Sequence, residues 1–203
     1  DATGPFTTAR RLHQTVIYNG YIYILGGQNS ASTALNDVQY APLSPDGSVG
    51  SWAATSSFAN ARVTLGAAAM NGYMYILGGR GGSYYKDIQY AKINTDGSLG
   101  AWAAAGANVS NAGQGACLVA YNGYLYSLGG WDNVNDHDTT RYATQNSDGT
   151  MGAWQNGTSF TDGRSNGQCL AYNGYLYVIG GEDASGKNDV QYAAINSGNG
   201  SIG

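Results

Sequence analysis

The sequence predicts an all-β protein assembled from four copies of one four-stranded antiparallel unit. Three observations carry that prediction. The first is an internal repeat: the pairs Gly26-Gly27, Gly78-Gly79, Gly129-Gly130 and Gly180-Gly181 stand 52, 51 and 51 residues apart. The second is the alternation in the runs that precede them, NGYIYILGG, NGYMYILGG, NGYLYSLGG and NGYLYVIGG. Their period is two residues, which belongs to strands and not to helices. The third is the Asn-Gly pair that opens each run, the residue pair that a type I′ hairpin turn requires because both central positions take positive φ.

Each unit then reads as strands a to d. Strand a is a small-residue segment, as in residues 65–70, and strand b follows the Asn-Gly turn, as in 73–77. Strand c is expected around 88–93, running through the motif Asp-x-Gln-Tyr that starts at Asp37, Asp87 and Asp189; the third copy departs from it with Thr139-Thr140-Arg141-Tyr142. An Asp-Gly link at Asp46, Asp96 and Asp148, and Asn199-Gly200 in the last copy, joins c to d with the same turn preference. Strand d is expected to centre on the Trp that closes the unit, at Trp52, Trp102 and Trp154. The repeats fall at about 1–52, 53–102, 103–154 and 155–203, in a single domain. One such unit cannot bury both of its faces, but units stacked radially bury one another. The small residues of strand a suit the crowded axis, and the Tyr and Trp residues suit the wider rim.

The succession of hydrophobic strand, tight turn, Gly-Gly, later Tyr and closing Trp resembles the kelch repeat, in four copies over essentially the whole chain. The resemblance implies a β-propeller whose antiparallel blades surround a central channel. Kelch-type rings usually hold six or seven blades, so three arrangements stay open: a segment of a longer propeller, a homodimer completing an eight-bladed ring, or closure with four blades. In the last, Asp1-Ala2-Thr3 would share a blade with Ser201-Ile202-Gly203.

Composition narrows the function classes. Apolar residues make up 42% of the 203, so the chain is globular, while charged residues are only 11%, against about 25% in an average soluble domain. A net charge of -4 argues against nucleic acid as a partner and against a polybasic membrane contact. No apolar run reaches the roughly 18 residues of a membrane span. The first residues carry no signal-peptide pattern. Little Lys with abundant Gly, Ser, Thr, Asn and Tyr points to an extracellular or cell-surface protein.

Functional residues are expected on the face formed by the b–c loops and the d–a connections, because the b–c loops at 28–36, 80–86, 131–140 and 182–188 vary most between copies. The residues that follow Gly-Gly there are Gln28, Arg80, Trp131 and Glu182. Trp131 offers a stacking surface and Arg80 an anion partner. Tyr84 and Tyr85 add two aromatics. Arg10, Arg62 and Arg164 share one repeat position, with Arg11 beside the first and Gly113 in the third copy. Kelch domains that bind acidic peptides carry Arg at about this position, so the resemblance implies a ligand ring of these four Arg. The competing reading is a structural Arg that hydrogen-bonds carbonyls of a neighbouring blade. Loop 131–140 holds Asp132, Asp136, His137 and Asp138; calcium is the minor reading of this cluster, since the spacing matches no twelve-residue calcium loop.

Catalysis finds little support. Two His, at 13 and 137, and no HExxH, CxxC or GxSxG leave no metal or nucleophile constellation. The preferred reading is a non-catalytic module, without a cofactor, that binds a protein, peptide or glycan. A carbohydrate-active enzyme and a structural repeat unit of a larger surface assembly are the alternatives. Cys117 lies five residues before its turn Asn and Cys169 four before its own, which puts them on opposite faces of their strands. Two separate buried thiols are the bland reading, and a disulfide between them stays open as the alternative.

Overall fold

The structure, a computed structural model, describes residues 4–110 and 112–203. Asp1-Ala2-Thr3, expected to complete a strand d, lie outside the described residues. The fold is the expected four-bladed β-propeller. Blade 1 consists of β1 (Gln14–Tyr18), β2 (Tyr21–Leu25), β3 (Val38–Pro42) and β4 (Ala53–Thr55). Blade 2 consists of β5 (Gly66–Met70), β6 (Tyr73–Leu77), β7 (Ile88–Lys92) and β8 (Ala103–Ala104). Blade 3 consists of β9 (Cys117–Tyr121), β10 (Tyr124–Leu128), β11 (Thr140–Thr144) and β12 (Gln155–Asn156). In blade 4 the described residues form three strands, β13 (Gln168–Tyr172), β14 (Tyr175–Ile179) and β15 (Val190–Ala194). Every blade is an antiparallel meander in chain order, with its first strand innermost.

Turn chemistry sets the register. Asn19 and Gly20 take φ of 45° and 78°, Asn71 and Gly72 46° and 83°, the two positive values of a type I′ turn that matches strand twist. Gln14 consequently pairs with Leu25, and Gly66 with Leu77. The c–d links behave differently from expectation. Only their Gly takes positive φ, as at Gly47 (85°) and Gly97 (82°), so they are not type I′. The Asp instead folds the loop through its side chain: Asp96 Oδ1 accepts from the Ser98 N–H at 3.0 Å and from its hydroxyl at 2.6 Å. The Trp also sits just before strand d. Trp102 donates Nε1–H to the Ser56 carbonyl at 2.9 Å and meets Phe58 edge-on at 5.7 Å, which holds it against the d–a connection.

The core lies between blades, not within them. Each interface sets the Tyr-rich flank of one blade against the small and aliphatic flank of the next: Tyr23, Leu25 and Val38 on Leu65, Met74 and Ile76, and Tyr75, Leu77 and Ile88 on Leu118, Leu125 and Met151. Strands a approach closely, and a Cβ added at Gly66 would lie 2.9 Å from the Ala116 carbonyl oxygen. The third interface carries a disulfide, Cys117–Cys169, with Cα atoms 6.1 Å apart. This corrects the expectation of separate thiols. The two Cys do sit on opposite faces of their strands, but adjacent blades turn opposite faces to each other, so that parity is what a bridge between them needs.

Candidate functional site

The b–c loops and d–a connections meet at one end of the propeller. A short two-sided bridge organises each blade there. The residue after Gly-Gly pairs with the d–a segment on one side and with its own loop on the other: Gln28 with Arg11 and Ala34, Arg80 with Val63 and Tyr84, Trp131 with Gln114 and Asp136, Glu182 with Ser165 and Gly186. Four equivalent backbone positions thus display four different side chains around the channel mouth.

Their surroundings differ as well. The Gln28 side-chain oxygen, in the amide orientation that satisfies both groups, accepts from Arg11 Nε at 2.8 Å and Nη2 at 3.0 Å. Glu182 accepts from Asn166 Nδ2 at 2.7 Å. Trp131 is half-buried and meets the Tyr84 ring edge-on at 5.0 Å. Arg80 is exposed, and its guanidinium has no partner among the described residues. Beside Trp131, Asp132 Oδ2 lies 3.2 Å from His137 Nε2 and 3.8 Å from Lys86 Nζ. Its other oxygen accepts from the Asn135 and Val134 N–H groups at 3.0 Å. Those backbone donors, with His137 adding to them, hold its carboxyl down to about 2. Arg80, Tyr84, Trp131, Asp132 and His137 therefore share one sector of the mouth, over blades 2 and 3.

The Arg series is built into the scaffold. Arg10, Arg62 and Arg164 each form a two-pronged pair with an Asp of the same blade, Asp37, Asp87 and Asp189, and also donate to the first carbonyl of Gly-Gly. Almost nothing of their side chains is exposed. Their carbonyl partners are in their own blades, not a neighbouring one. Tyr85 belongs to this structure too, stacked against Arg62 with the guanidinium carbon 4.3 Å from the ring centre. The sequence carries the Asp partners in its repeated Asp-x-Gln-Tyr motif, but a single repeat does not connect that Asp to the Arg. Blade 3 lacks Arg and Asp together, with Gly113 and Thr139 in their places.

The acidic side chains of loop 131–140 do not converge. Among the described residues no group of three or more His, Cys, Asp or Glu side chains is placed to hold a metal ion. Sequence reasoning also passed over the channel wall. Leu12, Thr64, Gly115 and Asn166 all have φ between 50° and 67° and line a cavity of about 420 Å³ with His13 and the disulfide. They are joined in series: Thr64 N–H donates to the Leu12 carbonyl at 2.9 Å, Gly115 to Thr64 at 2.8 Å and Asn166 to Gly115 at 3.0 Å. Burial, with Arg10 nearby, pushes the His13 pKa down, and its Nδ1 has no partner among the described residues.

Comparison with known proteins agrees with this architecture. A family model described as KLHDC2/KLHL20/DRC7 Kelch-repeats domain matches residues 1–181. The solved structure of YjhT superposes with a TM-score of 0.73, covering 97% of this chain and 69% of that one at 15% identity. At that identity the likeness speaks to fold alone. No curated protein matches the chain.

Proposed function

The chain belongs to the KLHDC2/KLHL20/DRC7 Kelch-repeats domain family, and from that premise we propose that it holds a protein or peptide ligand at the mouth formed by its b–c loops and d–a connections. Kelch propellers are generally protein-interaction modules. The observation that carries the placement is the sector over blades 2 and 3, where an exposed, unpaired Arg80 stands near the Trp131–Tyr84 pair. An exposed cation beside a half-buried aromatic pair suits a segment with an acidic side chain next to an apolar one. Arg11 supplies further positive charge across the mouth. Arg10, Arg62 and Arg164 stay outside this site, because their guanidinium groups are committed to Asp37, Asp87 and Asp189. The disulfide supports an extracellular or cell-surface setting, since such bonds persist in oxidising compartments.

The test is a random-peptide display selection on the immobilised chain, repeated with Arg80→Glu and Trp131→Ala. Enrichment of acidic-aromatic peptides that both variants lose supports the reading. Peptides that bind both variants as tightly as the parent would move the site elsewhere, and enrichment of glycans alone on a parallel array would replace the ligand class.

A further inference from the structure

The residues that follow Gly-Gly are fixed to one another around the mouth by a repeated short link. Arg80 pairs with Val63, whose neighbour Thr64 accepts from the Gly115 N–H at 2.8 Å, and Gln114, beside Gly115, pairs with Trp131. The Gly115 carbonyl in turn accepts from the Asn166 N–H at 3.0 Å, and Ser165, beside Asn166, pairs with Glu182. The step is tight: a Cβ added at Gly115 would lie 2.5 Å from the Asn166 backbone nitrogen. Arg80, Trp131 and Glu182 therefore stand one blade apart on equivalent backbone positions, and they run cation, aromatic, carboxylate.

Both charged ends of that series lack a counter-charge. Arg80 is exposed and unpaired among the described residues. Glu182 is exposed as well, and the side chain that holds its Oε1 is the neutral amide of Asn166, at 2.7 Å. An amide orients a carboxylate without neutralising it. The acids around Glu182 differ in this respect: Asp189 receives both prongs of Arg164, and Asp183 lies 2.7 Å from Lys187 Nζ. The surrounding loops divide in the same sense. Apart from the Arg–Asp pairs, the loops and connections of blades 1 and 2 carry Arg11, Arg80 and Lys86 and, among the described residues, no acid. Those of blades 3 and 4 carry Asp132, Asp136, Asp138, Asp162, Glu182 and Asp183 against Lys187. The mouth is thus positive on one side of Trp131 and negative on the other.

We propose that the mouth takes a peptide segment bearing an acidic, an apolar and a basic side chain in that spatial order, seated on Arg80, Trp131 and Glu182. This rests on the reading that Arg80 and Trp131 hold a peptide, and it adds the basic side chain and the carboxylate that receives it. Complementary potentials select partners and fix their register. A segment laid the other way round sets its acid against Glu182 and its base against Arg80, two like-charge contacts that disfavour that placement. Glu182 therefore decides which end of the segment lies over blade 4, and it discriminates against segments that are acidic throughout.

The test is a random-peptide display selection run in parallel on the parent chain, Glu182→Gln and Glu182→Lys, with circular dichroism to check that each variant is folded. Peptides enriched on the parent are expected to carry an acid and a base on opposite sides of an apolar residue. Selection on Glu182→Lys is expected to keep the acid and the apolar residue and to replace the base with a second acid. The best parent peptide, resynthesised, is expected to bind Glu182→Gln at least tenfold more weakly. Replacing its base with Gln should cost the parent the same factor and cost Glu182→Gln almost nothing, which ties the two charges to each other. Peptides that depend on Arg80 and Trp131 but carry no base, or whose base is indifferent to Glu182, overturn this proposal and leave the underlying reading intact. Selection that yields no peptide dependent on Arg80 and Trp131 overturns both.

Discussion

The guanidinium of Arg62 meets both carboxylate oxygens of Asp87, at 2.8 and 3.1 Å, while its remaining donors reach the carbonyls of Asn60, Gly78 and Ala59. A planar fork with every donor used ties the d–a connection to the end of strand b and the start of strand c. Arg62→Ala leaves Asp87 and three carbonyls without that donor. Breaking a buried pair from one side costs about 3–5 kcal/mol; Asp87 keeps some solvent contact, so the loss belongs near about 3 kcal/mol. Urea denaturation of Arg62→Ala and Arg62→Lys measures it. Lys, a point charge without the fork, is expected to recover less than half of the loss.

The same pairs set the acid limit of the fold. Burial raises the carboxyls of Asp37 and Asp87, but hydrogen bonds from Arg10 and Gln39, and from Arg62 and Gln89, outweigh it and hold both below 3.8. A carboxyl with a lower pKa when folded than when unfolded contributes stability that is complete above the unfolded value and lost as pH falls through the folded one. The urea midpoint is therefore expected to stay level from pH 7 to about 5 and to drop below about 4. Asp87→Asn, less stable at neutral pH, should show a shallower acid limb. A midpoint that falls by the same amount in both proteins would remove Asp87 from this account.

The blades, their a–b turns and their inner-to-outer order were legible because period and turn chemistry are local properties of the chain. A structural Arg bonding carbonyls was legible from its repetition, but its Asp partners were not, since Arg10, Arg62 and Arg164 and those Asp are 25 to 27 residues apart. A signal was present all the same: the copy that has Gly113 for Arg also has Thr139 for Asp. For Cys117 and Cys169 the spacing gives the strand parity, but the bridge depends on which faces two adjacent blades turn to each other, and a single strand does not carry that. The exposure of Tyr172 and Tyr192 was out of reach, because those positions share their motif with ones that a neighbouring blade buries or half-buries.

The disulfide gives a separate handle on the third interface. It joins residues 52 apart in sequence, and closing a loop of that length lowers the entropy of the unfolded chain by about 4 kcal/mol at 25 °C in the loop-closure account. Cys117→Ser/Cys169→Ser is expected to lower the melting temperature by roughly 8–16 °C, at about 2–4 °C per kcal/mol for a chain this size. Scanning calorimetry with and without a reductant checks it: the parent chain should fall to the variant's value on reduction, and the variant should not move.

The buried inter-blade tyrosines should resist titration. Burial, with neighbouring tyrosines adding to it, pushes Tyr23 up to about 12 and raises Tyr75 and Tyr126 as well. A group whose folded pKa lies above its unfolded value near 10 stabilises the fold fully below that value and ceases to do so as pH rises through the folded one. Absorbance at the phenolate band should then show Tyr23, Tyr75 and Tyr126 ionising late, together with the loss of near-ultraviolet dichroism. Their early ionisation in a chain that keeps its dichroism would contradict this.

Tyr23 and Tyr177 occupy the same position in blades 1 and 4, so they make a matched pair. The Tyr23 hydroxyl donates to the Gly97 carbonyl in a fully buried setting. Tyr23→Phe leaves that carbonyl without its partner, at a cost of about 1–2 kcal/mol. The Tyr177 hydroxyl has no such partner among the described residues, and Tyr177→Phe is expected to fall within about 0.5 kcal/mol of the parent. Urea denaturation of the two variants beside the parent measures both values. Equal tolerance of both substitutions would detach the tyrosine hydrogen bond from the stability of the blade interface.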